Sequence, residues 1–230
     1  MPESTPQPGW VLDELAHAGL EHLDPTYVAE YDRKSPTDWT EDIRKLQAMG
    51  IGAQSTVVDL GAGTGQFALA IAPYVRRLIA VDISAPMVGR LRERGIQGVH
   101  AGFLTYDHSG DPADAVVTRN ALHHLPDFWK ALALSRIREM LSAEGVLVVK
   151  DLVFSFDPGE ARAALECWFS SAPGDPVQGW TADELAEHVR TEYSTFTWLF
   201  EPMLERAGFD IREKVLSENK IFAAYFCVRR

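Results

Sequence analysis

The central part of the chain alternates short apolar runs with amphipathic stretches. Five runs have the length and composition of buried strands, at 56–60, 78–82, from Val99 onward, 115–118 and 145–152. Apolar residues recur at helical spacing between most of these runs, over 64–75, 85–94 and 128–141. Continuously apolar strands must be covered on both faces, so we expect an α/β fold with a doubly wound, mostly parallel sheet.

The two ends of the chain break this alternation. Residues 10–50 have helical patterning interrupted at Pro25 and Pro36, which predicts short helices before the sheet. Near the C-terminus, the apolar runs 209–215 and 221–228 flank a short polar turn, which predicts an antiparallel hairpin. The predicted regions are an N-terminal helical cap (1–54), a core (55–152), an inserted lid (153–200), and a final helix with the hairpin (201–230).

The inserted region 153–200 is dense in aromatic residues. They are Phe154, Phe156, Trp168, Phe169, Trp180, Tyr193, Phe196, Trp198 and Phe200. Most of them are expected to pack inserted helices onto the sheet. The alternative for two or three of them is to roof a pocket for an apolar or planar substrate.

Charge and composition narrow the class of partner. The 230 residues include 22 Lys and Arg against 33 Asp and Glu, a net charge of -11, so nucleic acid is disfavoured and small molecules or proteins are favoured. No uncharged apolar run approaches the ~18 residues of a membrane span, and the N-terminal residues have no signal-peptide pattern. Cys167 and Cys227 form no metal-binding pair, so we expect a cytoplasmic protein without a metal; its oligomeric state is left open.

The strongest local signal is a glycine-rich loop at 61–65, between a buried strand and a helix. Gly61, Gly63 and Gly65 alternate with Ala62 and Thr64. Glycine accepts positive φ and lets a ligand approach the backbone, and the free N–H groups of a helix N-terminus attract a carboxylate or phosphate. The G-x-G-x-G spacing differs from the G-x-G-x-x-G of nicotinamide-binding folds. Asp82, at the end of the second strand, is placed to accept hydrogen bonds from a ribose diol. It therefore supports a ligand with a nucleoside, whether or not that ligand is a nicotinamide cofactor.

Three motifs follow the ends of predicted strands, at 59–65 (DLGAGTG), 81–87 (VDISAPM) and 120–125 (NALHHL). In their order and spacing they resemble a class I S-adenosylmethionine (SAM)-dependent methyltransferase. The resemblance implies a seven-stranded sheet in the order 3-2-1-4-5-7-6, with strand 7 antiparallel. It also implies that SAM is the cofactor.

The resemblance also implies roles for individual residues. Gly61 and Gly63 would lie against the methionine portion of the cofactor, with Asp59 orienting its ammonium group, and Ala62 between the two glycines would also bind the cofactor. Asp82 would hold the ribose, Ile83 and Met87 would flank the adenine, and Asn120 would lie near the sulfonium. Tyr31, in the segment before the sheet, is a further candidate for binding the cofactor's carboxylate; the alternative is that it packs inward from a solvated helix.

The stretch after the third predicted strand departs from the family pattern. Similar proteins often have an acidic residue there that binds the adenine amine, whereas this chain has Gly102 followed by Phe103. Backbone groups of these two residues, Asp107 or another side chain are the alternatives for binding the adenine.

His123 and His124, just after the fourth predicted strand, are the candidate catalytic residues. Either could act as a general base, which methyl transfer needs only when the acceptor must lose a proton. A structural role for the pair is the alternative. The predicted function is methyl transfer to a small, apolar or ring-bearing acceptor. The alternatives are an NAD(P)-dependent oxidoreductase and a non-catalytic methyltransferase-like regulatory domain.

Overall fold

The computed structural model describes residues 8–34 and 37–230. Residues 1–7 and the predicted break at Pro36 lie outside the described residues.

One twisted sheet forms the centre of the molecule. Its strands are β1 (Thr56–Leu60), β2 (Arg77–Asp82), β3 (Gly98–His100), β4 (Ala113–Arg119), β5 (Leu141–Phe154), β6 (Thr195–Phe196), β7 (Phe209–Leu216) and β8 (Phe222–Arg229). The order across the sheet is β3-β2-β1-β4-β5-β8-β7, and the two-residue β6 pairs with the end of β5. When the short β6 is left out and β7 and β8 are counted as strands 6 and 7, this is the predicted order 3-2-1-4-5-7-6. The last long strand in sequence, β8, runs antiparallel to both of its neighbours, as predicted.

Helices lie on both faces of this sheet and before it. The α-helices are α1 (Pro25–Lys34), α2 (Thr40–Ala48), α3 (Gln66–Ile71), α4 (Ala85–Glu93), α5 (Asp127–Met140), α6 (Ala161–Ser170), α7 (Ala182–Thr191) and α8 (Thr197–Arg206). Short 3-10 helices occupy Glu14–His17, Leu20–Leu23, Ala72–Tyr74, Leu122–His124 and Pro158–Glu160. The doubly wound α/β fold expected from the sequence is therefore confirmed.

Two apolar layers cover the sheet. Helices α5 and α8 bury Leu134, Ile137, Phe200 and Leu204 against one face. On the other face, α2 and α3 supply the apolar side chains. The parallel strands are thus buried on both sides, which explains their continuous apolar runs.

The helix after the glycine loop is shorter than the predicted 64–75. Gly65 has a φ of +88°, and a residue in this left-handed conformation cannot continue a right-handed helix, so α3 begins at Gln66. At its other end α3 stops at Ile71, and a 3-10 turn containing Pro73 follows.

The inserted region forms a separate apolar cluster beside the end of β5. The aromatic residues Phe154, Phe156 and Trp168 pack there with Leu185 of α7. Most of the inserted aromatics therefore pack as expected, and Trp198 and Tyr193 are exposed. No helix in the described ranges is both long and apolar enough to cross a bilayer.

Leu134 offers a test of the packing between α5 and the sheet. It is fully buried, whereas Leu132 on the same helix is 36% exposed. We expect Leu134→Ala to lower the free energy of unfolding by about 2–5 kcal/mol, because it leaves a cavity. The matched control Leu132→Ala should cost about 0.5 kcal/mol or less in urea unfolding. Equal losses in both variants would contradict this description of the core.

Candidate functional site

The loop after β1 folds back over the end of β2. The amides of Gly61 and Ala62 both donate to the carbonyl of Val81, at 2.9 and 3.0 Å. Gly61 has a φ of +72°, and a Cβ at this position would overlap with the side chain of Ala121. Glycine is therefore required here both by its conformation and by the close approach of the loop after β4.

Asp82 joins the loops that follow β1 and β2. Its carboxylate accepts the amide of Gly63 at 2.8 Å through Oδ2 and the amide of Ser84 at 2.8 Å through Oδ1. Burial raises the pKa of Asp82, and these two amides act in the opposite direction. The carboxylate thus stands at the point where the ends of β1 and β2 meet, with lone pairs left to accept further hydrogen bonds.

A cleft of about 720 Å³ opens along these strand ends. It is lined by nine of the residues predicted to bind the cofactor: Tyr31, Gly61, Gly63, Asp82, Ile83, Met87, Gly102, Phe103 and Asn120. The other two, Asp59 and Ala62, line an adjoining cavity of about 530 Å³ together with Tyr31, Gly61, Gly63 and Asn120.

 Asn120, which follows β4 directly, has a φ of +46°, so the chain turns sharply between the two spaces at this residue.

The adjoining cavity is lined by a buried acid, Asp59, and by a partly buried cation, Arg119. Oδ2 of Asp59 is buried and has no hydrogen-bond partner among the described residues. Burial, and then the negative charge of Asp82, raise the pKa of Asp59 to about 8. The guanidinium of Arg119 lines the same cavity and lies 4.7 Å from the ring centre of Trp39. The cavity therefore presents one group suited to an ammonium and another suited to a carboxylate.

The N-terminal segment covers the cleft. Glu14, Ala18, His22 and Tyr31 line it from this side. The hydroxyl of Ser84 donates to the carbonyl of His22 at 2.6 Å. Asp32, on α1, accepts hydrogen bonds from Thr64 and from Arg94, and these contacts fasten α1 to the sheet domain.

Glu14 occupies the space next to Gly102. Its carboxylate accepts the amide of Leu104 at 3.0 Å, and the side chain is only 6% exposed. A Cβ at Gly102 would overlap with this carboxylate. Burial raises the pKa of Glu14, while the amides of Leu104 and Phe103 act in the opposite direction. The acid missing from position 102 is thus replaced in space by one from the N-terminal segment. Asp107, the other candidate, instead pairs with Arg136 at 2.7 Å.

His123 is buried between two carboxylates. Its Nδ1 is hydrogen-bonded to Oδ1 of Asp151, and its Nε2 lies 3.1 Å from Oε2 of Glu192. Burial by itself lowers the pKa of His123, but the charges of Asp151 and Glu192 raise it to about 10. The histidine therefore carries a positive charge at neutral pH when these are its only partners.

His124 has the opposite electrostatic character. Its ring centre lies 4.4 Å from that of His123, and its side chain lines both the cleft and a second cavity. Burial, and then the charge of His123, lower the pKa of His124 to about 3, so the ring is neutral. Its Nδ1 is buried and lacks a hydrogen-bond partner within the described ranges.

The second cavity, of about 510 Å³, adjoins the cleft. The two spaces share His22, Tyr31, Asn120 and His124. The far wall of the second cavity is apolar and comes mainly from the inserted region and the hairpin. It consists of Leu152, Trp168, Trp180, Leu185 and Phe222. Two of the inserted aromatics, Trp168 and Trp180, thus line a pocket, which is the alternative considered for them above.

Four charged residues of the site were not anticipated. Glu14 and Glu192 lie in parts of the sequence with no motif, and only the tertiary structure brings them to the strand ends. Arg119 and Asp151 had a usable signal, since each is a charged residue at or near the C-terminal end of a buried strand. Such positions face the ligand crevice of an open α/β sheet.

The chain is similar in sequence to known methyltransferases. A family model described as a methyltransferase domain matches residues 57–145. An uncharacterized methyltransferase of Mycobacterium tuberculosis is 32% identical over 161 residues, covering 63% of this chain and 81% of that protein. The N,N-dimethyltransferase OxyT of Streptomyces rimosus is 30% identical over 204 residues, covering 84% of this chain and 53% of that protein.

Solved structures share the fold at low sequence identity. Magnesium protoporphyrin IX methyltransferase from Synechocystis, with bound SAM, has a TM-score of 0.64 and 14% identity, covering 97% of this chain and 100% of that one. An S-adenosylmethionine-dependent methyltransferase from Mesorhizobium loti has a TM-score of 0.60 and 19% identity, covering 81% of this chain and 96% of that one. The methyltransferase prediction is therefore favoured over the oxidoreductase and the non-catalytic domain. By its sheet order and by these similarities, the chain belongs to the family of class I S-adenosylmethionine-dependent methyltransferases.

Proposed function

We propose that this enzyme transfers the methyl group of SAM to a small, apolar or ring-bearing acceptor that binds in the second cavity. The observation that carries the proposal is the junction between the two spaces, where Asn120 and His124 line both the cleft and the aromatic cavity. A donor in the first space and an acceptor in the second would meet at this junction.

The cleft and its adjoining cavity fit SAM at three points. The unpartnered Oδ2 of Asp59 and the guanidinium of Arg119 suit the two charges of the methionine portion. Asp82 stands ready for the ribose hydroxyls, and Ile83 and Met87 provide apolar walls for the adenine. When bound, SAM supplies a methyl group on a positively charged sulfur, which an acceptor's lone pair can attack.

Glu14 completes the adenine site in this proposal. Its carboxylate lies beside Gly102 and Phe103 at the end of the cleft that also holds Met87. A carboxylate there accepts a hydrogen bond from the exocyclic amine of adenine, a contact that the deaminated base cannot make. The N-terminal segment would then belong to the cofactor site itself.

The protein's contribution to catalysis is chiefly positioning and exclusion of water. Methyl transfer from sulfur is an in-line displacement, so holding the acceptor at attack distance provides much of the acceleration. The N-terminal segment and the inserted region close the site from two sides. His123 and His124 stay the predicted catalytic residues, since both line the second cavity. The positive charge of His123 leaves the neutral ring of His124 as the one able to accept a proton.

The similarity to OxyT, named as an N,N-dimethyltransferase, makes a nitrogen atom the first acceptor to test. We expect a panel of amines and phenols, incubated with isotopically labelled SAM, to reveal label transfer to ring-bearing members. Transfer only to proteins or to nucleic acids would contradict the proposal.

The aromatic wall predicts how acceptor affinity depends on Trp180. We expect Trp180→Ala to raise the acceptor KM roughly 10- to 100-fold, because it removes about 1.5–3 kcal/mol of apolar contact. The affinity for S-adenosylhomocysteine (SAH) should stay within about twofold, since Trp180 does not line the cleft. Trp198, which is 57% exposed, provides the matched control Trp198→Ala. An unchanged KM in Trp180→Ala would place the acceptor elsewhere.

The raised pKa of Asp59 predicts that cofactor binding releases a proton. Its pKa of about 8 leaves it protonated at pH 7, and a bound ammonium favours the ionised form, so binding releases a proton. The affinity for SAH should therefore rise with pH between about 6 and 8, by at most tenfold per pH unit. Calorimetry in buffers of different ionisation enthalpy should detect this proton in the wild type and lose it in Asp59→Asn. Equal proton release by both proteins would refute the assignment.

Glu14 predicts selectivity for adenine over its deaminated form. The wild type should bind SAH roughly 10- to 100-fold more tightly than S-inosylhomocysteine, as expected for one hydrogen bond to a charged group. Glu14→Ala should lose most of this preference, whereas the control Glu144→Ala should keep it. In the double variant Glu14→Ala/Gly102→Asp, an acid returns at the family's position, and the preference should recover. A wild-type ratio in Glu14→Ala would exclude Glu14 from adenine binding.

A further inference from the structure

We propose that His123, His124 and Glu192 form a binding site for one divalent transition-metal ion at the junction of the two cavities. The proposal of an ion site rests on side-chain geometry alone. The proposal that the bound ion holds the acceptor rests also on the proposed function.

The donor atoms already converge on one small volume. One ring nitrogen from each histidine and one oxygen of Glu192 all lie within 4.8 Å of one another. Nε2 of His123 is 3.1 Å from Oε2 of Glu192, and Nδ1 of His124 is 3.9 Å from Oε1. A tetrahedral zinc ion with ligands at 2.0–2.2 Å keeps its donors about 3.4 Å apart, so small side-chain rotations suffice.

One of these donor atoms is buried without a hydrogen-bond partner. It is Nδ1 of His124, which has none among the residues that the structure describes. Oε2 of Glu192 is buried as well and is paired with Nε2 of His123. Buried polar atoms are nearly always paired, so the free lone pair of His124 calls for a partner. A cation bound between Nδ1 of His124 and the Glu192 carboxylate provides one.

Asp151 gives His123 the orientation of a metal ligand. The hydrogen bond of Nδ1 to this carboxylate leaves Nε2 pointing toward Glu192. Asp151 is itself held by the amides of His123 and Leu152, at 3.1 and 2.8 Å. Metal-binding histidines commonly have such a carboxylate on their second nitrogen, where it sets the tautomer and increases ligand basicity.

The backbone holds the two parts of the site together. The amide of Tyr193 donates to the carbonyl of His123 at 2.8 Å, which fixes the end of α7 against the histidine turn. The buried amine of Lys130 also donates to the carbonyl of Tyr193. On the far side of Glu192, Nδ1 of His188 is hydrogen-bonded to Oε1. Glu192 is therefore fixed in place by several independent contacts.

The donor set indicates the class of ion. Two imidazoles and one carboxylate suit zinc and neighbouring transition metals, whereas magnesium and calcium prefer an all-oxygen environment. Three protein ligands leave a coordination position free, and His123, His124 and Glu192 all line the second cavity. An oxygen or nitrogen atom of the acceptor can bind in that position.

The sequence predicted no metal because it shows no cluster of ligands at zinc-site spacing. His123 and His124 are adjacent, but Glu192 lies at the end of α7 in the inserted region. Only the packing of that region beside β5 brings the carboxylate to the histidines.

Metal titration of tag-free, chelator-dialysed protein tests the proposal. We expect the wild type to bind one equivalent of Zn²⁺ by calorimetry and one of Co²⁺ by visible absorption. Glu192→Gln and His124→Asn should lose this binding, and Asp151→Asn should weaken it roughly 10- to 100-fold. His108→Asn is the matched control, since His108 hydrogen-bonds to Tyr106 and Asp111 outside the cluster.

SAH binding and circular dichroism, measured for every variant, separate loss of the ion site from loss of the fold. Absence of saturable binding by the wild type overturns the proposal, as does unchanged binding in both Glu192→Gln and His124→Asn. A protein that binds SAH but no metal overturns the ion site and leaves the proposed function standing. Metal binding without SAH binding overturns the proposed function and leaves the ion site standing.

Discussion

The site depends on one buried carboxylate. Asp82 accepts an amide from the loop after β1 and another from the turn after β2, so it sets the distance between two crossover connections. Its burial makes these hydrogen bonds costly to lose, because an unpaired charge in a low-dielectric environment is strongly destabilising. The glycines of the neighbouring loop allow this approach, since Gly61 packs against Ala121 where a side chain would not fit.

The N-terminal segment also contributes to the site at these strand ends. Asp32 and the carbonyl of His22 fasten it to the sheet domain, and Glu14 fills the space above Gly102. The absence of a side chain at position 102 and the presence of a carboxylate from position 14 are therefore one structural feature. Where the family pattern has an acid, this chain has a glycine, and a carboxylate that is remote in sequence lies beside it.

The inserted region combines packing with a second role. Most of its aromatic residues fill an apolar cluster beside β5, while Trp168 and Trp180 also line the second cavity. The same region delivers Glu192 to the histidine turn, where an amide of Tyr193 holds it. The environment of His123 and His124 is thus decided by a segment that lies outside the sheet domain's central motifs.

The apolar runs by themselves determined the strands of the sheet, and the resemblance of three motifs to a known family supplied the strand order and the strand ends proposed to bind the cofactor. Apolar runs and glycine spacing are local signals, so Gly61, Gly63 and Asp82 were found where the structure has them. The boundaries of α3 were less predictable, because they depend on the backbone conformation of Gly65. Only the tertiary structure decided that Glu14 faces Gly102 and that Glu192 faces His123, because both contacts join segments whose relative position follows from packing rather than from any local pattern.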